Sequence, residues 1–466
     1  MEDKYLPQIG AIADEMGLRA YAIGGFVRDT FLQRSITDVD IMVVGSGIAL
    51  AERFSQEVKR PVMVFKNFGT AMVRVGEREY EFVGARKESY NRDSRKPIVE
   101  QGTLEDDQRR RDFTINAMAF GLNADNYGFL LDPFGGVCDM REGIIRTPLD
   151  PDVTFSDDPL RMLRAIRFAT QLDYTIFTET FEAIKRNALR IEIISQERIT
   201  TELEKIIRCP KPSIGFKLLE ECGLLKLVFA ELSALKGVDR VGNRAHKDNF
   251  YHTLQVLDNV CERSDNLWLR WAALLHDIAK PQTKHWEENI GWTFHQHEVL
   301  GSKMAGRIFR KLRLPLGDEL RYVQKLIFLH LRPIVLSEDE VTDSAVRRLL
   351  FEAGNDAEDL MLLCQADITS KNDEKVRRYL RNFEIVRSKM VEIEEKDRIR
   401  NFQPPITGDM IMQFYGIEPC RMVGLIKEQI KDAILEGAIP NEYQAAYDMM
   451  IEIARRDFNL EITLPQ

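Results

Sequence analysis

Asp38 and Asp40 stand two residues apart in TDVDIMVVG (37–45). The segment DVDIMVV (38–44) predicts a strand. Its alternation puts both carboxylates on one face and Val39 and Ile41 on the other. Like charges that close repel, and a fold tolerates them best with a cation between them. A second candidate strand, EYEFV (79–83), offers Glu79 and Glu81, also on one shared face. Three converging carboxylates could hold Mg²⁺ ions about 3.5–4 Å apart, the arrangement of phosphoryl and nucleotidyl transfer. Acid-x-acid alone equally suits a solvated strand end.

Context makes the pair more specific. Gly24-Gly25 lies between a predicted strand, RAYAI (19–23), and a predicted helix over Phe26–Arg34. Bare backbone there can approach a phosphate, and Arg28 follows one turn into the helix. A second chemical region lies further on. All seven histidines (246, 252, 276, 285, 295, 297 and 330) fall between 246 and 330.

Other elements must hold these groups in place. A helix is predicted over about 48–59, and AMVRV (71–75) with EYEFV reads as an antiparallel hairpin around GER. Residues 86–108 are charged and lack apolar periodicity, which predicts a long loop. The stretch RDFTINAMAF reads as helical and would set Asp112 and Asn116 one turn apart. Beyond Asp158-Pro159, a helix start, the pattern is helical to the end with no confident strand. The segment 376–398 carries long-helix periodicity, and Pro404-Pro405 with Gly408 opens a helical tail.

The chain has 466 residues, 44% hydrophobic and 30% charged, which suits a globular protein of three or four domains. No stretch approaches the ~20 apolar residues of a membrane span, and the N-terminus MEDKYLPQIG lacks a secretory h-region. The expectation is a cytoplasmic protein with no membrane association. Six scattered cysteines without a CxxC pair argue against disulfides and a Cys-type zinc site. The formal net charge is −9, shared by both halves, so a nucleic-acid partner would be met by local Arg/Lys patches.

GGFVRD followed by TDVDIMVVG resembles the first motif of the class II tRNA nucleotidyltransferases, the CCA-adding enzymes and bacterial poly(A) polymerases. RRRDFTINAMAF (109–120) is similar to the second motif. Asp132, Gly136 and Arg146 fit the D-x3-G-x9-R pattern of the third. DDPLRMLRAIRFA (157–169) and SQERITTEL (195–203) are similar to the fourth and fifth. The resemblance implies that Asp38, Asp40 and Glu81, with Glu79 as the substitute for the last, bind Mg²⁺ and are catalytic. It implies a nucleotide site of Gly24, Gly25, Arg28, Arg111, Asp112, Asn116, Asp158, Arg161, Arg164 and Arg167. Arg110 is a further phosphate candidate.

In this picture a carboxylate at Asp112 accepts from a ribose 2′-hydroxyl. Asp158 accepts from the exocyclic amine of cytosine or adenine while Arg161 donates to the ring nitrogen. Uracil and guanine would leave that pair unmatched. Arg161, Arg164 and Arg167 form a basic stripe, and Glu197, Arg198 and Glu202 orient the neck helices. The chain departs from the family pattern at Asp157, where glutamate is usual.

YHTLQVLDN and LRWAALLHDIAK resemble an HD domain, with His252, His276, Asp277, His297, His330 and Asp367 in order. That set suits a divalent transition metal that activates water in a phosphohydrolase. The expected fold is α+β: a nucleotidyltransferase head with a mixed sheet (1–150), a base-selecting helical neck (151–225), an HD-like body (226–370) and an RNA-binding helical tail (371–466). The expected function is template-independent addition of CCA to tRNA from CTP and ATP. The alternatives are a poly(A) polymerase, a CC- or A-adding enzyme, and an HD phosphohydrolase whose head senses nucleotide. The 86–108 loop favours the full activity, since CC-adding members of the family tend to lack an intact flexible loop.

Overall fold

The computed structural model describes residues 3–91, 94–241, 244–245, 248–338, 342–369, 373–397 and 404–462. The chain forms two compact units, Met1–Ser233 and Ala234–Gln466.

The first unit is built on nine strands of its N-terminal part: β1 (Arg19–Ile23), β2 (Asp38–Val44), β3 (Val62–Phe65), β4 (Thr70–Val75), β5 (Arg78–Gly84), β6 (Arg86–Asn91), β7 (Ser94–Gln101), β8 (Ala119–Gly121) and β9 (Leu130–Leu131). Seven of them make one mixed sheet in the order β3-β4-β5-β2-β1-β8-β9. Only β2 and β5 run parallel; every other pair is antiparallel. Alternation sorts the two faces. Val39, Ile41, Tyr80 and Phe82 are fully buried. Phe54, on the helix Gly47–Val58, sets its ring 5.7 Å from those of Tyr80 and Phe82. The opposite face therefore carries the acids of the same strands. Ser46 caps that helix by accepting from the Ala49 N–H at 3.2 Å.

Three expectations change. Residues 86–108 are not a loop: β6 and β7 pair as an antiparallel ribbon, and Leu104–Arg109 is a helix with a Thr103/Asp106 capping box. A ribbon of largely polar sequence shows no apolar alternation, so its strands gave no periodic signal. The stretch from Asp112 is not an α-helix but a single 3₁₀ turn, Thr114–Asn116, leading into β8. The region after Asp158 also contains short strands: Thr175–Ile176 pairs with Ile144–Ile145, and His285–Glu287 pairs with Gly291–Thr293.

The rest of the first unit is helical. Leu160–Leu172 is the central helix, burying Met162, Leu163, Ala165, Ile166 and Ala169 completely. The second unit is predominantly helical. Its inner helices are Asn249–Cys261, Leu267–Leu275, His297–Lys311, Asp318–Leu329 and Ala357–Asp367, with Trp271 and Phe309 wholly buried among them. The long helix is Asp373–Asp397, and the tail is Gly408–Tyr415, Arg421–Glu436 and Tyr443–Phe458. Residues 398–403 lie outside the described residues. Among the described residues no helix is long and apolar enough to cross a membrane.

Candidate active site

The acid-bearing face of the sheet floors a cleft of about 490 Å³. Asp38 pairs in register with Glu79, and Asp40 with Glu81, across the parallel β2–β5 ladder. All four acids line the cleft, together with Gly24, Gly25, Arg28, Arg111, Asp112, Asn116, Arg164 and Arg167. Burial raises the Asp40 carboxyl, the Arg111 guanidinium opposes it, and Asp38 raises it further. A half-buried acid beside another acid is an electrostatic demand for positive charge, so the donor set fits a hard divalent cation.

Gly24 turns the chain from β1 into the helix Gly25–Phe31 at φ +69°. A Cβ there would stand 2.8 Å from Arg111 Nη1 and 3.2 Å from Asp40 Oδ2. The absent side chain is what lets Asp40 and Arg111 approach the backbone.

A hydrogen-bonded chain runs along the cleft wall. Arg28 forks onto Asp29 (2.9 and 2.7 Å) and donates from Nη1 to Asn116 Oδ1 at 2.7 Å. Asn116 Nδ2 donates to Asp112 Oδ1 at 3.0 Å, and Arg164 Nε donates to Asp112 Oδ2 at 2.7 Å. Burial pushes the Asp112 carboxyl up, but Arg164 and Asn116 outweigh it and hold it at about 2. Arg167 is anchored on buried Glu202 at 2.6 Å. Three guanidiniums, of Arg28, Arg164 and Arg167, surround the Phe168 ring at 5.0, 5.5 and 3.8 Å.

Two residues beyond the sequence expectations support this wall. Fully buried Asp107 holds Arg110 and Arg111 through its two oxygens. Its signal was an acid three and four residues before a basic pair on one helix face. Phe168 was visible only as part of RFA.

Asp158 and Arg161 are not among the residues lining the cleft. Asp158 Oδ2 lies 3.2 Å from Arg198, its Oδ1 accepts from the Leu160 N–H, and Arg161 Nη2 donates to the Arg110 carbonyl at 2.6 Å. The third motif is a local brace: Asp132 accepts from the Gly136 and Val137 N–H groups, and Arg146 lies on Asp139 and over the Phe177 ring. Asp157 ends the helix Pro151–Asp157.

The second unit brings the six HD-like residues together. His276, His297 and His330 each present Nδ1 to a backbone carbonyl three residues earlier, at 2.7, 2.7 and 2.6 Å. A carbonyl only accepts, so Nδ1 carries a proton in each ring, and in the neutral ring Nε2 keeps its lone pair. His297 Nε2 and His330 Nε2 face each other at 3.3 Å. Two lone pairs at that distance repel unless a cation lies between or beside them. His276 Nε2 is buried without a hydrogen bond, 3.3 Å from Asp277 and 3.7 Å from Asp367. His252 Nε2 lies 2.9 Å from Asp367 and 3.5 Å from Asp277.

Two three-residue groups here, His252/His276/Asp277 and Asp277/His297/His330, have ligand atoms within 4.8 Å of one another. Among the described residues no other group does; the head acids are spread more widely, as like charges repel. Burial opposes protonation of His276, but Asp277 and Asp367 outweigh it and push it up to about 10. Burial and His276 hold His330 down, at about 4. The two carboxylates favour positive charge at His276 Nε2, and imidazole with carboxylate suits a divalent metal there. His246 lies outside the described residues.

The family model described as the poly A polymerase head domain matches residues 20–146, one for a probable RNA and SrmB-binding site of polymerase A matches 173–236, and an HD domain matches 249–372. The chain is 31% identical over 374 residues to the multifunctional CCA protein of Nitrosococcus oceani, covering 78% of this chain and 87% of that one. The chain belongs to the tRNA nucleotidyltransferase family.

It is also 31% identical to the A-adding tRNA nucleotidyltransferase of Aquifex aeolicus over 70% of its own length, and there it spans only 42% of the relative. A solved tRNA nucleotidyltransferase complexed with a primer tRNA and an incoming ATP analog shares 26% identity and a TM-score of 0.58, over 83% of this chain and 99% of that one. The mixed-sheet head and helical body are the fold of this family. Nucleotidyltransferase and HD domains are both metal-dependent, which implies a divalent metal.

Proposed function

We propose that the first unit adds C, C and A to tRNA 3′ ends from CTP and ATP, with Mg²⁺ at Asp38, Asp40 and Glu81. The observation that carries this reading is the register of β2 and β5, which lines up two acid pairs on the floor of one cleft. A divalent cation held there supplies activation of the RNA 3′-hydroxyl and neutralisation of the triphosphate.

The protein's own residues do the rest by positioning. The bare Gly24 backbone, Arg28 and Arg111 receive phosphate oxygens. The Phe168-centred arginines hold the sugar and triphosphate. Asp158 and Arg161 read the base edge once a nucleotide competes with Arg198 and the Arg110 carbonyl for them. The hydroxyl attacks the α-phosphate, and pyrophosphate leaves.

The four-part division into head (1–150), neck (151–225), HD body (226–370) and RNA-binding tail (371–466) belongs to the same reading. So does a cytoplasmic location, which six unpaired cysteines support. The relationship to an A-adding enzyme favours a narrower second reading, addition of A alone. The test offers purified protein a tRNA ending at its discriminator base, and one already ending in CC, with CTP alone, ATP alone or both. Addition of CC from CTP alone and CCA from both supports the full activity. Incorporation of ATP only, into tRNA already ending in CC, supports the narrower one, and long A tails on arbitrary RNA support a poly(A) polymerase.

For the second unit we propose a metal-dependent phosphohydrolase site at His252, His276, Asp277, His297, His330 and Asp367. A divalent metal held there supplies an activated water. The convergence of four imidazoles on buried Asp277 and half-buried Asp367 supports this reading. Phosphatase and phosphodiesterase assays with Mg²⁺, Mn²⁺ and Ni²⁺ test it, and absence of hydrolysis with all three contradicts it.

A further inference from the structure

The acids divide the open face of the sheet into two unlike halves. The strand order β3-β4-β5-β2-β1 puts Asp40 and Glu81 in the middle. Beside them at the end of β1 lie Gly24, Arg28 and Arg111, groups suited to phosphate. On the other side, the row through Asp40 and Glu81 continues into Met72 on β4 and then Met63 on β3, each the register partner of the one before. Partners directly opposite share a face, so both methionines stand on the acid-bearing side. Phe65, two residues along β3 from Met63, stands there too.

This half is apolar and open. Met63 is 46% exposed and Phe65 43%, whereas Val62 and Val64 turn to the other face, opposite buried Val73 and Ala71. Met72 is half-buried and lines the cleft, so the strip runs without a break from the acids to the edge of the sheet. Neighbouring strands lie about 4.8 Å apart, which sets Met72 about 5 Å and Met63 about 10 Å from Glu81. Arg74 flanks the strip on the same face, opposite Glu79. Its side chain is 64% exposed, and its Nη1 lies 3.8 Å from Glu79 Oε1, too far for a hydrogen bond.

In an in-line displacement the attacking oxygen enters opposite the leaving one. With the triphosphate on the β1 side, the attacking hydroxyl comes from the β4–β3 side. We infer that Met72, Met63 and Phe65 are the platform on which the last base of the RNA acceptor lies, with Arg74 at its backbone phosphate and its 3′-hydroxyl over Glu81. This rests on the nucleotide-transfer reading above. The platform suits an end whose base changes as nucleotides are added. Every base has a flat face that stacks on an aromatic ring, and unbranched methionine adapts its shape to each. Hydrogen-bonding groups in the same place would select one base instead.

The experiment measures kcat and KM of the full chain for CTP and for two tRNAs, one ending at its discriminator base and one identical but abasic at that last position. Loss of the base is expected to lower wild-type kcat/KM for tRNA by about tenfold, the worth of one stacked base. The double variant Met63→Ser, Phe65→Ser is expected to raise KM for the intact tRNA by a similar factor and to move KM for CTP little. It should use the abasic tRNA nearly as wild type does, because the base and its platform act as one unit. Met63→Leu with Phe65→Tyr should keep the wild-type KM for tRNA.

A wild-type KM for intact tRNA in the serine variant overturns the inference. So does a wild-type enzyme that uses the abasic end as well as the intact one, a result that needs no variant to fold. A serine variant changed only in its oligomeric state makes the strip a contact between copies of this chain, and overturns the inference as well. Absence of CTP incorporation by wild type overturns this inference together with the reading beneath it, whereas incorporation indifferent to the last base overturns this inference alone.

Discussion

Asp40 and Glu81 are register partners on adjacent parallel strands. They come from strands separated by a helix and a hairpin, yet neighbouring strands lie about 4.8 Å apart, so their side chains rise from one face at one level. The same ladder sets Asp38 beside Glu79. The acids are held there by the opposite face, where Val39, Ile41, Tyr80 and Phe82 are sealed under Phe54. A slip of one residue would bury the acids and expose the aromatics.

Gly24→Ala tests the backbone approach. The residue sits at φ +69° with Arg111 Nη1 2.8 Å from the position of a Cβ. The substitution is expected to cost about 1–3 kcal/mol of stability and to depress nucleotide addition by more than the loss of folded protein explains. Thermal melting and initial rates on the same preparation check both, and full activity would contradict the close approach.

Asp112 gives a pH prediction with a definite sign. Its carboxyl is held at about 2 in the folded chain, against roughly 3.9 for an unperturbed aspartate. A depressed folded value means that the pair with Arg164 stabilises fully above about pH 4 and is lost as pH falls through about 2. The stability difference between wild type and Asp112→Asn should therefore shrink over that window. Denaturant melts at several pH values measure it, and parallel curves would contradict the pairing.

His276 tests the second cluster. Wild type should gain several degrees in melting temperature with Mn²⁺ or Ni²⁺, since a ligand at a hundredfold excess over Kd stabilises by about 2.7 kcal/mol. His276→Gln removes a buried ring nitrogen that has no hydrogen-bond partner, and should lose most of that gain along with bound metal after dialysis. An equal gain in both proteins would place the metal elsewhere.

Much of this was legible in the residues. Alternation in 38–44 and 79–83 marked the strands and the acid face, and the order of the histidines marked the second site. Register was not legible: nothing in EYEFV says that Glu81, rather than Glu79, pairs with Asp40. The β6–β7 ribbon escaped because its sequence offers no apolar stripe to read. The 3₁₀ turn at Thr114–Asn116 escaped because FTINAMAF has the composition of a buried helix as much as of a buried strand. Asp158 and Arg161 were readable as types, but their partners, Arg198 and the Arg110 carbonyl, come from distant turns that only folding brings near.

On the proposed reading, the acids on β2 and β5 drive transfer of nucleotides to an RNA end. The most direct measurement follows labelled CTP and ATP into a tRNA ending at its discriminator base, for wild type and Asp40→Ala. Wild type is expected to add nucleotides and the variant to lose about a thousandfold or more, with a melting temperature little changed, because Asp40 is half-buried between the repulsion of Asp38 and the attraction of Arg111. Addition by Asp40→Ala at a rate near that of wild type would contradict it.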